Sequence, residues 1–146
     1  MAYKGKFKPK FPEKYIGNPT NIIYRSLWEL RLMRHFDHDP SILKWGSEEI
    51  IIPYESPVDR RIHRYFPDFI VQAKTINGSI NTIIIEVKPD KQTKEPVKDP
   101  SHPRRYIKEV LTYGVNQAKW KAAERYCRDR NWQFKIMTEN DIGIKY

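Results

Sequence analysis

The stretch Thr82-Ile83-Ile84-Ile85-Glu86-Val87-Lys88 decides how this chain of 146 residues folds. Its β-branched residues favour a strand, and side chains of a strand alternate between two faces. Ile85 and Val87 therefore point one way, into a core, while Glu86 and Lys88 share the opposite face. Upstream, Asn77-Gly78-Ser79 reads as a turn, and Ile62 to Gln72 as a second strand rich in apolar and β-branched residues. Pro67 falls inside that run and removes a ladder donor, so an edge, a bulge or a bend is expected just before Asp68. If the two strands pair, Asp68 lies across from the face that carries Glu86 and Lys88.

Further upstream, Glu49 to Tyr54 reads as another strand, set off by the turn Ser56-Pro57-Val58-Asp59. Before it, Leu27, Leu30, Leu32, Met33 and Phe36 recur at helical spacing and stop at Asp39-Pro40. Ser26-Leu27-Trp28-Glu29 fits the S-x-x-E capping box that opens such a helix. Residues 1–19 mix Lys, Gly and Pro with Tyr3, Phe7, Phe11 and Tyr15, which predicts an extended arm docked by its rings. Downstream, residues 89–103 carry several prolines and alternating charges and predict a mobile loop of functional length. From Tyr106 the residues Ile107, Val110, Leu111, Val115, Ala118, Ala122 and Tyr126 predict a long helix, ending near Asn131 and weakest at Gly114. Trp132 to Met137 alternates as a closing strand. The sum is one mixed α/β domain in the order α-β-β-β-α-β, with no internal repeat.

Composition narrows the partners. Lys and Arg number 27 against 18 Asp and Glu, a net charge of +9, and a field of that sign attracts polyanions such as nucleic acid. Apolar residues at 39% and aromatics at 13% exclude a disordered basic tail. The single cysteine, Cys127, excludes an internal disulfide and a cysteine-built zinc site and suits a reducing compartment; it reads as a small core residue. No apolar run is long enough for a bilayer, and the start shows no signal-peptide core, so a soluble, unexported protein away from membranes is expected.

Two hard carboxylates, Asp68 and Glu86, beside Lys88 suit Mg²⁺ with retained waters. A phosphodiester needs a nucleophilic water, neutralisation of charge building on the phosphate and help for the departing oxygen, and such a site contributes to each. A kinase or P-loop ATPase is disfavoured by the scattered glycines, and there is no G-x-S-x-G for a serine hydrolase. Arg60, Arg61 and Arg64 precede Asp68 and Arg25 stands at the mouth of the first helix, all placed to meet DNA. Lys119, among the basic residues of the long helix, is a further backbone contact. No base-reading motif is visible, so recognition by charge and shape is expected, with steep salt dependence. His35, Asp37, His38 and Asp39 crowd one helix end; zinc is the weaker reading there, and carboxylates serving the terminus the stronger. Trp28, Trp45, Trp120 and Trp132 read as core.

The residues Pro67-Asp68 and Glu86-Val87-Lys88, eighteen positions apart at the acids, resemble the PD-(D/E)xK nuclease signature, whose restriction-endonuclease-like core has the same element order. More narrowly, Tyr24-Arg25-Ser26-x-Trp28-Glu29, Trp45-Gly46-Ser47-Glu48, Ile52-Pro53-Tyr54, Arg64-Tyr65-Phe66 and Asn116 with Lys119-Trp120-Lys121-Ala122-Ala123 resemble the head completion proteins of large contractile-tailed phages. The resemblance covers most of the chain. It implies a Mg²⁺-dependent DNA endonuclease, with Mn²⁺ as substitute, acting on the DNA end of a filled capsid before the tail joins. Asp68 and Glu86 would bind the metal, Lys88 would orient the attacking water or stabilise the phosphate, and Glu29 would add a second-metal or water-orienting carboxylate. Glu48 is left outside the site as the end of a strand or a salt-bridge partner. Double-stranded DNA and portal or neck proteins are the implied partners, with the host cytoplasm, then the virion neck, as location. The rival reading is a non-enzymatic portal-binding assembly protein on a nuclease-like scaffold.

Overall fold

In the computed structural model, which describes residues 4–143, a central four-stranded sheet is covered on both faces. Its strands are β3 (Ile42–Ser47), β6 (Phe69–Lys74), β7 (Ile80–Val87) and β8 (Gln133–Met137), in the spatial order β3-β6-β7-β8. The first three run antiparallel, and β8 lies parallel to β7 after a crossover through the long helix α2 (Pro103–Asp129). Helix α1 (Leu27–His38) precedes β3, so the sheet and its helices follow the order α-β-β-β-α-β. The first of those strands is not the one the sequence suggests. Ile42–Ser47 fills that place, whereas Ile52–Glu55 (β4) pairs with Ile62–Tyr65 (β5) in a separate two-stranded hairpin inserted between β3 and β6. The bend expected at Pro67 is the point where the chain leaves this hairpin and enters the central sheet.

Alternation along β7 divides the core in two. Ile83, Ile85 and Val87 face α1, with Phe69 and Val71 beside them, while Ile84 and Ile70 face α2 and meet Trp120, Ala123 and Cys127. Glu86 shares the second face and is buried under α2, so it does not stand on an open surface. On the α1 side Trp45 is fully buried, with Tyr15 4.8 Å, Phe7 5.8 Å and Phe36 5.9 Å from it between ring centroids. Phe7 and Tyr15 belong to the N-terminal arm, which docks by these rings as expected. Its strand β1 (Gly5–Phe7) pairs with β2 (Ile22–Tyr24), and a short 3₁₀ turn spans Pro12–Lys14. Tyr3 lies outside the described residues.

Asp37 fastens the arm. Its buried carboxylate accepts the backbone N–H of Lys10 at 2.7 Å and of Phe11 at 3.1 Å. Lys14 adds its ammonium to the main-chain oxygens of Asp37 and Asp39. Asp37 thus serves the arm rather than its own helix terminus. Among the described residues no group of three or more His, Cys, Asp and Glu side chains is placed to hold a metal ion by itself, and at this helix end Asp37 is taken up by the arm.

Helix α2 begins three residues earlier than predicted, and its buried residues Asn116, Trp120, Ala123 and Cys127 fall at spacings of four, three and four. Cys127 is a core residue, as read. Ile107, Val110 and Leu111, part of the apolar pattern that predicts this helix, lie exposed. The first half of α2 runs beside the segment between β7 and α2, and Pro57 of the hairpin approaches it at Gly114. That segment opens with one 3₁₀ turn (Asp90–Thr93) and is otherwise irregular. No helix of the described residues is long and apolar enough to cross a membrane.

Candidate active site

The antiparallel register pairs Phe69 with Ile85, and one further step sets Asp68 opposite Glu86. Both side chains then share the α2 face of the sheet. Asp68 spends Oδ2 on the backbone N–H of Val87, at 2.7 Å, which holds its carboxylate against the end of β7. Its own main-chain oxygen accepts the N–H of Glu48 at 3.1 Å. Glu86 is only 4% exposed, and the indole N–H of Trp120 points at its Oε2 from 3.5 Å. Lys88 follows in the same face sequence, and its backbone N–H donates to the Met137 oxygen at 3.0 Å, extending the parallel β7–β8 ladder by one residue.

The electrostatics are those of too much negative charge in too little water. Burial first, and the Glu86 carboxylate second, push the Asp68 carboxyl up to about 8, against a smaller opposing effect from Lys88. The Tyr65 hydroxyl is raised too, by burial and by Glu86 and Asp68, and it lies next to Glu86 without completing a hydrogen bond to any described group. A carboxylate pair, half-buried at Asp68 and buried at Glu86, and an orphaned hydroxyl leave hard oxygen donors short of positive charge. Such a donor set fits a Mg²⁺-like cation bound through one or two carboxylates and several waters.

Glu29 reaches this centre from the first turn of α1. Ser26 caps the helix by accepting the Glu29 N–H at 3.1 Å, as the capping box predicts. The Glu29 carboxylate departs from the box by accepting the N–H of Arg25, at 3.3 Å, instead of that of Ser26. Burial and the nearby Asp68 raise its pKa, and Glu48 adds to the effect. Glu48 stands just after β3 with a left-handed backbone, φ 54°, and its carboxylate pairs with the Arg25 guanidinium. It is both the end of a strand and a salt-bridge partner, and it also borders the site.

The basic candidates divide. Arg25 is at the rim, engaged by Glu48. Lys119 is half-buried on α2, its ammonium 5.6 Å from the Tyr65 ring centroid and 5.8 Å from that of Tyr54. Arg64 neighbours Tyr65 on β5 but sits on the exposed face, 5.9 Å from the Phe66 ring. Arg60 and Arg61 are exposed at the hairpin tip, four to five residues from Tyr65, which is roughly 13–17 Å at about 3.3 Å per residue. Tyr65, Trp120 and Asn116, which the sequence reading gave no role in the site, lie on or beside its walls. Their signal was present in the segments Arg64-Tyr65-Phe66 and Asn116 to Ala123, whose resemblance named the residues without saying what they touch.

Residues 39–139 match the profile of the TnsA-like endonuclease N-terminal family. The chain belongs to this family. It is also 40% identical over 147 aligned residues to a protein of Enterobacteria phage T4 named head completion nuclease, covering 97% of this chain and 95% of that protein. The matched family segment spans the whole central sheet and includes Asp68, Glu86 and Lys88, while Glu29 and the arm lie before it. The restriction-endonuclease-like, mixed α/β architecture agrees with the family assignment.

Proposed function

We propose that the chain is a metal-dependent DNA endonuclease of phage head completion, processing the DNA end at the filled head before the tail joins. The observation that carries this reading is the pairing of two carboxylates, the half-buried Asp68 and the buried Glu86, across adjacent strands with Lys88 beside them. The family and the name of the phage T4 relative support nuclease activity, and that name also supports the role at the head. Asp68 and Glu86 would hold Mg²⁺, or Mn²⁺ in its place, with Glu29 contributing from α1. The bound metal supplies a coordinated water of lowered pKa and neutralises charge gathering on the phosphate. Lys88 presents its ammonium to the attacking water or to a phosphate oxygen. Trp120 fixes the Glu86 carboxylate, and Arg25 and Lys119 offer cations to the flanking backbone. With net charge +9 the protein binds duplex DNA largely through phosphates, so affinity falls steeply with salt.

The apolar residues Ile107, Val110 and Leu111, exposed on one side of α2, favour an additional docking role at a portal or neck protein, in the host cytoplasm during assembly and then in the virion neck. The test is cleavage of plasmid and linear duplex DNA with Mg²⁺ or Mn²⁺, with EDTA, and with Asp68→Ala, Glu86→Ala and Lys88→Ala. Metal-dependent cleavage lost in all three folded variants is expected. Wild-type protein that binds DNA yet leaves it intact with either metal contradicts the enzyme and favours the assembly scaffold.

A further inference from the structure

Starting one helical turn before Trp120, the first half of α2 and the segment 91–99 enclose a groove of about 690 Å³. At its inner end is Asn116, 5% exposed, which has no hydrogen-bond partner among the described residues. Neither polar end of its carboxamide is sealed off as an orphan, so it opens into the groove. Asn116 precedes Trp120 by one helical turn, and Trp120 touches Glu86. Going back along the same face of α2, Asn116 is followed by Tyr113 and Tyr106, both half-buried and both lining the groove. The row from Trp120 to Tyr106 is roughly 21 Å long at about 1.5 Å per residue. It leads away from the carboxylates in a line.

Five cations outnumber three carboxylates along the groove, among them Glu95 without an ion pair among the described residues, and the cations are not equivalent. Lys94 pairs with Asp90 at 3.0 Å, and Arg105 with Asp99 at 2.9 Å and Glu109 at 3.6 Å. Lys91, Lys98 and Lys108 have no ion pair among the described residues. A carboxamide that can both donate and accept, two phenol rings and three uncommitted ammonium groups match the three parts of an unpaired nucleotide: base edge, base face and phosphate. A paired base offers neither face, and a groove of this size suits roughly one or two flat bases, not a double helix.

We propose that this groove receives the unpaired nucleotides of the DNA substrate, such as the tail of an overhang or a frayed end, as the strand leaves the cleavage site. Asn116 meets a base edge, Tyr113 and Tyr106 stack on base faces, and Lys91, Lys98 and Lys108 neutralise the backbone. The inference rests on the nuclease reading above for its substrate, and gives that nuclease a preference for ends with single-stranded tails.

The experiment uses the whole chain in EDTA, which separates binding from cleavage. Blunt duplex is compared with the same duplex carrying a 5′ or a 3′ tail, each with 2-aminopurine at an unpaired position, and binding is followed by anisotropy and by 2-aminopurine fluorescence. One tail polarity is expected to bind about tenfold tighter than blunt DNA and to lose fluorescence on stacking. Tyr106→Leu and the double variant Tyr106→Leu, Tyr113→Leu should bring the preference towards parity and restore fluorescence. The single variant keeps the test open if the double one fails to fold. Equal affinity for blunt and tailed DNA, or quenching that both variants retain, overturns the groove. A protein that cleaves blunt and tailed DNA alike without quenching keeps the nuclease and loses the groove. One that prefers and quenches a tail but cleaves nothing with Mg²⁺ keeps the groove and loses the nuclease.

Discussion

Asp37 and Asp68 are carboxylates withdrawn from water on opposite sides of one sheet, and they differ in the donors that surround them. Asp37 receives two backbone N–H groups from the arm, with the Lys14 ammonium on its own main-chain oxygen. Asp68 receives one N–H and faces a second carboxylate. The first arrangement makes burial of the acid a source of stability, because each partner is satisfied by the other. The second sets two carboxyl groups together in a low-dielectric site, where ionising both costs stability unless a cation arrives. A buried acid rich in donors reads as a fastener, and one poor in donors reads as a binding site.

That contrast breaks most visibly in a pair of substitutions. Asp68→Asn should lower metal-dependent cleavage by about a thousandfold or more while leaving the metal-free fold at least as stable, since above about pH 8 it removes one of two repelling charges and below that it replaces a protonated carboxyl. Asp37→Ala should do the reverse to the fold, destabilising it by about 2–4 kcal/mol by orphaning two arm N–H groups. Chemical denaturation of both variants beside the cleavage assay checks the crossing of effects.

A pH series sharpens the same point. In the folded, metal-free protein the Asp68 carboxyl titrates at about 8, whereas in the unfolded chain it titrates near the ordinary value of about 4. The folded state therefore holds this proton more tightly, so the contribution is full below about pH 4 and is lost as pH rises through about 8. In EDTA the melting temperature of the wild type should fall between about pH 5 and 8.5 by several degrees more than that of Asp68→Asn. Parallel curves for the two proteins would mean that Asp68 carries no such burden.

Smaller effects follow at the edges. Trp120→Phe keeps a ring against β7 but removes the indole N–H from Glu86, and should slow cleavage by roughly threefold to tenfold without changing the pH series. Arg61→Ala, at the exposed hairpin tip, should leave stability within about 0.5 kcal/mol and reduce the salt slope of DNA binding by about 0.9 if the side chain meets one phosphate. An unchanged slope would remove the hairpin tip from the DNA interface.

Much of this was legible in the chain because it depends on local pattern. The period of two along β7 placed Glu86 and Lys88 on one face, and Ser26 with Glu29 announced the start of α1. Pro67 marked the bend before Asp68. What was not legible depends on packing between distant segments. Ile42–Ser47 carries a lysine and a glycine inside a strand, so its place beside β6 rests on Trp45 filling the α1-side core. Glu49 to Tyr54 has a cleaner strand pattern, yet only Ile52 to Tyr54 of it pairs, and in a hairpin outside the sheet. The exposure of Ile107, Val110 and Leu111 depends on which segments pack against α2, which no helical period records. Tyr65 and Trp120 could not be tied to Glu86 before the hairpin and α2 were seen to close over it.

The most direct test of the contrast between the two aspartates is a melting experiment at about pH 8 on wild-type protein and Asp68→Asn, each with EDTA and with Mn²⁺. Stabilisation by the metal follows from binding to the folded state alone. The expected result is a rise of several degrees with Mn²⁺ in the wild type and little or none in Asp68→Asn. No rise in the wild type, or the same rise in both proteins, would contradict the reading of Asp68 and Glu86 as a cation site.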